Sequence, residues 1–310
     1  MHIRFLQTAD VPSCAALAHA ACLAEQQAHG SLPAADAALF QPLLSNLFSQ
    51  GTAFAAEEDG FIVGYLAFSP PFEGAFGNCS GVFSPLHGCA CAGHDPSRTL
   101  SHLLTAAMEH LYRQGITSIA LSRYAHEEAL LRTLVMTGFG IRCTDLMART
   151  SPEMPPHDGL QLRTMRKKDI PHVLSLLNDL EAHMASAPVF MPKSAWTEQQ
   201  VEQLGEKVLL ACADDLPIAV TLLGHSGETY LDELPHVTHL GSTYCREDFR
   251  GKGVMDALVQ YASALAHKRG FTHIGVDCET LNPPAFRFWQ KHFTPFTYSA
   301  VRRLDERLLP

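Results

Sequence analysis

Gly115-Ile116-Thr117-Ser118-Ile119-Ala120-Leu121 returns 155 residues later as Gly270-Phe271-Thr272-His273-Ile274-Gly275-Val276. Each is a glycine followed by a short apolar run, the mark of a buried strand entered from a turn. Working outward, Phe139 returns as Phe293, and Asp59-Gly60-Phe61-Ile62-Val63-Gly64 resembles Asp214-Asp215-Leu216-Pro217-Ile218-Ala219. Ile3-Arg4 with Asp10-Val11-Pro12 returns as Leu162-Arg163 with Asp169-Ile170-Pro171. Four segments in one order at nearly one offset form an internal repeat, with a period too long for a solenoid. The chain reads as two copies of one domain of about 150 residues.

The boundary falls at 151–159, where Pro152, Pro155 and Pro156 bar a helix or a central strand. The domains are then 1–150 and 160–310. Each copy predicts a short strand (Ile3–Leu6; Gln161–Thr164) and a helix (Cys14–Ala28; His172–Met184), with Asp10 or Asp169 as N-cap. A hairpin follows (Ala53–Glu57 with Phe61–Phe68; Val208–Ala213 with Ile218–Leu223). A further strand, about Thr238–Cys245 in the second copy, precedes a long helix. Val254, Ala257, Leu258, Tyr261, Ala262 and Leu265 form one apolar stripe, repeated by Leu100, Leu103, Leu104, Ala107, Met108 and Leu111. A strand, a shorter helix and a last strand close each copy. The fold class is α/β (α+β): two tandem domains, each a mixed, mostly antiparallel sheet flanked by helices.

Composition sets the limits of function. Hydrophobic residues are 46% of the 310 and charged residues 18%, enough for two cores, so the chain is not disordered as a whole. The net charge of −9 argues against nucleic acid and anionic membrane surfaces and leans toward cationic substrates. Residues 1–150 carry 7 arginines, no lysine and 12 acids, so neither half is a basic arm. No run of 18 apolar residues suggests a membrane span, and Met1-His2-Ile3-Arg4 does not open a signal peptide. The 9 scattered cysteines contain no Cys-x-x-Cys and read as reduced, mostly buried thiols of a cytoplasmic protein. No His-Glu-x-x-His occurs, and His236 with His239 lacks further ligands at metal spacing, so no metal is expected.

The chemistry is carried by Cys245-Arg246-Glu247-Asp248-Phe249-Arg250-Gly251-Lys252-Gly253-Val254-Met255, between a strand and the long helix. Glycines let successive backbone N–H groups point one way, and a helix start adds unpaired donors and partial positive charge. Such a cradle suits a pyrophosphate. It is not a P-loop, since Val254 and Met255 offer no hydroxyl, and not a dinucleotide fingerprint, since Asp256 stands at the third glycine position. About 30 residues on stands Asn282-Pro283-Pro284-Ala285-Phe286-Arg287-Phe288-Trp289.

These two segments resemble the GNAT family of N-acetyltransferases. Arg250 and Gly253 match its Arg/Gln-x-x-Gly-x-Gly/Ala loop; Asn282, Ala285, Phe288 and Trp289 match its Asn-x-x-Ala-x-x-Phe-aromatic pattern. The resemblance is specific over about 208–305 and reaches the rest of the chain through the repeat. It implies tandem GNAT-like domains that use acetyl-CoA. Backbone groups of Thr243, Tyr244 and Cys245 would pair with the pantetheine arm. Arg250, Gly251, Lys252, Gly253, Val254 and Met255 would hold the pyrophosphate. Asn282 and Trp289 would flank the pantetheine end. The acceptor would be a small-molecule or amino-terminal amine that attacks the thioester directly in a ternary complex. A non-catalytic acyl-CoA sensor is the alternative, and a homodimer is left open.

Two residues depart from the family pattern. Met255 replaces the final small residue, and Trp289 stands where many members carry a tyrosine, an acid that an indole cannot replace. Tyr298 is the substitute acid, and Glu233 and His239 are the candidates for the base. In the first copy the loop becomes Asp95-Pro96-Ser97-Arg98, without glycine and with an acid facing the phosphates, and Asn282 becomes Glu127. The first copy is thus expected to be degenerate.

Overall fold

The computed structural model describes residues 1–154, 159–224 and 227–308. Of the expected linker, 155–158 lie outside the described residues. The chain divides into two compact units: Met1–Asp145 together with the C-terminal segment from Pro295, and Leu146–Thr294.

In chain order the elements are β1 (His2–Phe5), α1 (Val11–His29), α2 (Phe40–Gln50), β2 (Ala53–Glu58), β3 (Phe61–Ala67), β4 (Phe72–Glu73), β5 (Ser80–Ser84), β6 (Cys89–Cys91), α3 (Pro96–Arg113), β7 (Ser118–Tyr124), α4 (Glu128–Met136) and β8 (Gly140–Arg149). The second repeat supplies β9 (Gln161–Thr164), α5 (Ile170–Ala185), α6 (Glu198–Leu204), β10 (Val208–Ala213), β11 (Leu216–Gly224), β12 (Val237–Cys245), α7 (Val254–Lys268), β13 (His273–Glu279), α8 (Pro283–Trp289), β14 (Thr294–Pro295) and β15 (Thr297–Arg303). The predicted elements all form, within a few residues at their ends. The helices α2 and α6 are additional.

In the first unit, β1, β2, β3 and β6 pair antiparallel in that order, while β5 runs parallel to β7. Five residues of the α3 stripe are buried, Leu100, Leu103, Leu104, Ala107 and Leu111, and pack with Phe54, Val82, Ile119 and Leu121, while Met108 is partly buried beside them. The second unit repeats this arrangement, with β9, β10, β11 and β12 antiparallel and β13 parallel to β12. Val254, Leu258 and Ala262 of α7 cover one face of its sheet, against Leu209, Ile218, Leu240 and Val276. Val173, Leu176 and Leu177 of α5 cover the other face, against Val208, Leu210 and Val220.

Two expectations need correction. The last strand of the second repeat, β15, belongs to the first unit. It runs antiparallel to β7 from Thr297 opposite Tyr124 to Arg303 opposite Ser118, and it also pairs with β8 through Ser299 and Cys143. The units therefore change over within β8 and at Pro295, not at the proline-rich segment 151–159. A strand lent to the other repeat keeps its alternation and its partners' chemistry, so its local sequence carries no sign of the exchange.

Nor do Asp10 and Asp169 cap α1 and α5 with their side chains. Each ends a short 3₁₀ turn, and its carboxylate turns back to the N–H of Gln7 or Arg166 and to the arginine of the preceding strand. All nine cysteines are free thiols. No helix of the described residues is long and apolar enough to cross a membrane.

Candidate functional site

The second unit owes its site to two parallel strands that part. Val237–Leu240 of β12 pair with His273–Val276 of β13, and no pairing continues although both strands do. Just past the separation β12 bulges. Val220 of β11 opposes Tyr244 and Leu222 opposes Gly241, so two residues of β12 answer one of β11. Ser242 takes up the extra length at φ +32°, a conformation that a side chain rarely adopts. The hydroxyl of Thr243, 2.7 Å from that of Thr221, also bonds the Gly241 carbonyl and fixes the bulge. Strained backbone of this kind persists where surrounding contacts over-determine it, often at sites.

Beyond β12 the chain turns through Gly251 (φ +71°) and Gly253 (φ +77°) into α7. A Cβ on either would touch nothing, so these glycines are needed for backbone conformation and not for space. Gly253 occupies the N-cap of α7 and supplies no capping side chain. The equivalent helix of the first unit, α3, is closed by the carboxylate of Asp95, which accepts from the Arg98 N–H at 3.0 Å. One helix start is therefore satisfied internally and the other left open to an anion.

A cavity of about 370 Å³ lies in the wedge and before this helix start. It is lined by Thr243, Tyr244, Cys245, Arg250, Gly251, Gly253, Val254, Met255, Asn282 and Trp289 among others. Of the expected coenzyme residues only Lys252 is not in the lining; its ammonium lies over the Phe249 ring, 5.4 Å from the centroid. Arg250 is turned back: its Nε donates to the Cys245 carbonyl at 3.0 Å, and the guanidinium lies over Tyr244. Asn282 caps α8 by accepting from the Ala285 N–H, and its amide Nδ2 lies 3.3 Å from Nε2 of His183 on α5.

The sequence reading did not single out Leu180, His183, Asp256, Phe288 or Lys291 as parts of this lining. Asp256 is the most consequential of them. An acid in the first turn suits the helix dipole but repels a phosphate. His292 Nε2 meets its Oδ1 at 2.9 Å. The only signal in the sequence was the spacing of Asp256 from the glycines.

The three candidate catalytic residues separate. His239 is buried on β12, with Nε2 3.8 Å from Oδ1 of Asp277. Glu233 is exposed in the turn before β12. Tyr298 lies on β15 in the first unit, opposite Arg123, and does not line the cavity. Burial raises its pKa, helped by the charge of Glu25.

In the first unit β5 and β7 pair only from Gly81 to Ser84 before the chain leaves for β6. Here Arg123, fully buried, stands in the opening. It donates to the Cys89 carbonyl on β6 and to the carboxylate of Glu127, the counterpart of Asn282.

Residues 177–293 match the model of the acetyltransferase (GNAT) family. No protein of curated function matches the sequence. Among solved structures, a GCN5-related N-acetyltransferase from Sphaerobacter thermophilus has a TM-score of 0.59 at 18% identity, covering 97% of this chain and 95% of its own. A glucosamine N-acetyltransferase region in a fungal multi-domain GH3 β-N-acetylglucosaminidase scores 0.56 at 14% identity; 97% of this chain matches but only 38% of that one. A tandem GNAT protein from the clavulanic acid biosynthesis pathway scores 0.50 at 14% identity, covering 97% of this chain and 98% of its own. At these identities the structures speak for the fold across the whole length. The family match falls on 177–293, the stretch that holds the loop and the wedge, and the likeness in fold to GNAT structures runs over the whole chain.

Proposed function

We propose that this protein transfers an acyl group, acetyl in the first instance, from coenzyme A to an amine in its second unit, and that the first unit binds no coenzyme. The observation that carries the reading is the cavity at the parted strands, bounded by a bulged strand and an uncapped helix start. The first amides of α7 and the turn at Gly251–Gly253 would hold the pyrophosphate. The edge of β12 at Thr243–Cys245 would bind the pantetheine arm, beside Asn282 and Trp289. The coenzyme supplies the acyl group as a thioester, activated for attack.

His239 accepts a proton from the incoming ammonium, with Asp277 beside it to stabilise the charged ring. The freed lone pair forms the C–N bond as the C–S bond breaks. The second amine proton leaves with the sulfur, so proton and electron counts balance. A backbone amide at the bulge polarises the carbonyl. Trp289 can pack against the arm and donate, but it supplies no proton. In the first unit Arg123 and Glu127 fill the equivalent opening, and Asp95 occupies the helix start.

Calorimetric titration with acetyl-CoA tests the binding half of the reading, and thiol release over a panel of amines tests turnover. One coenzyme per chain and thiol release support the enzyme. His239→Gln then lowers kcat without moving coenzyme affinity. Binding with no turnover on any amine identifies a sensor instead.

A further inference from the structure

On β13 the residues Ile274, Val276 and Cys278 enter the core with α7 and Trp289 of α8. Gly275, Asp277 and Glu279 alternate with them and face the opposite side of the sheet, the side that α5 covers. His239 of β12 stands in register with Gly275 on that same side. A Cβ at Gly275 would lie 2.7 Å from Oδ1 of Asp232 and 3.0 Å from Cδ2 of His239. Only a glycine lets these two side chains meet over the bare backbone.

Both are buried, Asp232 to 1% exposure and His239 to 3%. Asp232 is held by Thr229, whose N–H and hydroxyl both donate to its Oδ2. Its other oxygen, Oδ1, and His239 Nε2 have no hydrogen-bond partner among the described residues. Buried polar atoms left open in this way cost stability unless a ligand answers them.

Their surroundings indicate the sign of that ligand. Asp277 stands 3.8 Å from the open nitrogen of His239. Asp277, Glu279 and Asp232 all act on Glu228, and Lys193 opposes them. Among the described residues no three of these groups converge as metal ligands do, so the fitting ligand is an organic cation. One ammonium does not suffice. The nitrogen that attacks must first become neutral, and it then no longer balances the carboxylates.

We propose that the acceptor is a short aliphatic diamine. One amino end lies at His239 and reacts, and the other stays an ammonium held by Glu228 and Asp277. This rests on the acetyl-transfer reading of the cavity and specifies its second substrate.

The test is calorimetry on the full chain loaded with coenzyme A, titrated with putrescine and with n-butylamine. The two are alike in length and differ in the second ammonium. Putrescine is expected to bind at least about tenfold more tightly, since close charge pairs couple that strongly. Glu228→Gln is expected to bring the ratio near one while acetyl-CoA binding stays unchanged. Equal affinity for the two amines overturns the proposal, as does a preference that survives Glu228→Gln. So does a coenzyme-loaded protein that binds neither amine. All three results leave the coenzyme reading standing; failure to bind acetyl-CoA at all removes both.

Discussion

Arg163 clasps Asp169 with both arms of its guanidinium, at 2.6 and 3.0 Å. The same clasp joins Arg4 and Asp10 in the other repeat, at 2.7 and 2.9 Å. In each unit it ties the first strand to the start of the first helix, and the carboxylate also accepts from a backbone N–H. Asp169 is nearly fully buried. Burial works to raise its pKa, but the Arg163 bonds and the Arg166 N–H outweigh it and hold the carboxyl below the usual range. Asp10 is lowered too, chiefly by Arg4. A lowered native pKa means stability that is complete above the unfolded value, about 4, and is lost as pH falls through the native one. Asp169→Ala should cost about 3 kcal/mol at neutral pH, because it takes the two-armed partner from a part-buried guanidinium and leaves it, as carboxylate partner, only the longer bond to Asp215, at 3.3 Å. The loss should shrink below pH of about 4. Urea unfolding at both pH values measures it.

Arg123 and Glu127 give a sharper test of the first unit. The guanidinium is fully buried and its carboxylate partner nearly so. Glu127→Ala should destabilise by about 3–5 kcal/mol, since one buried charge is left uncompensated. Replacing both by their counterparts in the second repeat, Arg123→Cys with Glu127→Asn, should cost less than the single change. A double variant as unstable as Glu127→Ala would show that the pair itself is needed to hold the fold.

The repeat and the strand–loop–helix order were legible because Gly115, Gly270 and the two apolar helical stripes are local patterns. Much of the cavity lining was legible for the same reason: Thr243–Cys245 and Gly253–Met255 are contiguous, and Asn282 and Trp289 stand at the two ends of one short helix. What escaped depends on distant pairing. Tyr298 has the look of a residue of the second repeat, yet β15 carries it to Arg123. Asp232 and Glu228 lie in an irregular segment with no period, and their environment is made by β13, more than 40 residues away. His183 meets Asn282 across 99 residues of chain.

The helix starts predict opposite responses to similar changes. Gly253→Glu places an acid at the open end of α7 and forces a side chain onto φ +77°. Acetyl-CoA binding should fall below detection in calorimetry. Gly253→Ala should weaken it more mildly, by about tenfold, through about 1 kcal/mol or more of backbone strain and a lost approach. Arg98→Glu, on an exposed residue at the capped start of α3, should leave binding unchanged. Equal losses from Gly253→Glu and Arg98→Glu would contradict a single coenzyme site.

Glu228 sets the last expectation, in pH. Part of the residue reaches the surface, but burial of its carboxyl, then the charges of Asp277 and Glu279, push its pKa up to about 7. The other groups acting on it are Lys193 and Asp232, on which His239 acts in turn. For a raised acid the sign is the reverse of Asp169. Its contribution to stability is complete below the unfolded value, about 4.3, and is lost as pH rises through about 7. Glu228→Gln should therefore melt higher than the parent protein at pH of about 8 and alike near pH 4. A cation seated beside the carboxylate favours the ionised form. The rise in melting temperature given by putrescine should thus grow between pH of about 6 and 8 and stay flat in Glu228→Gln. A putrescine effect that falls over this range would place the cation away from Glu228.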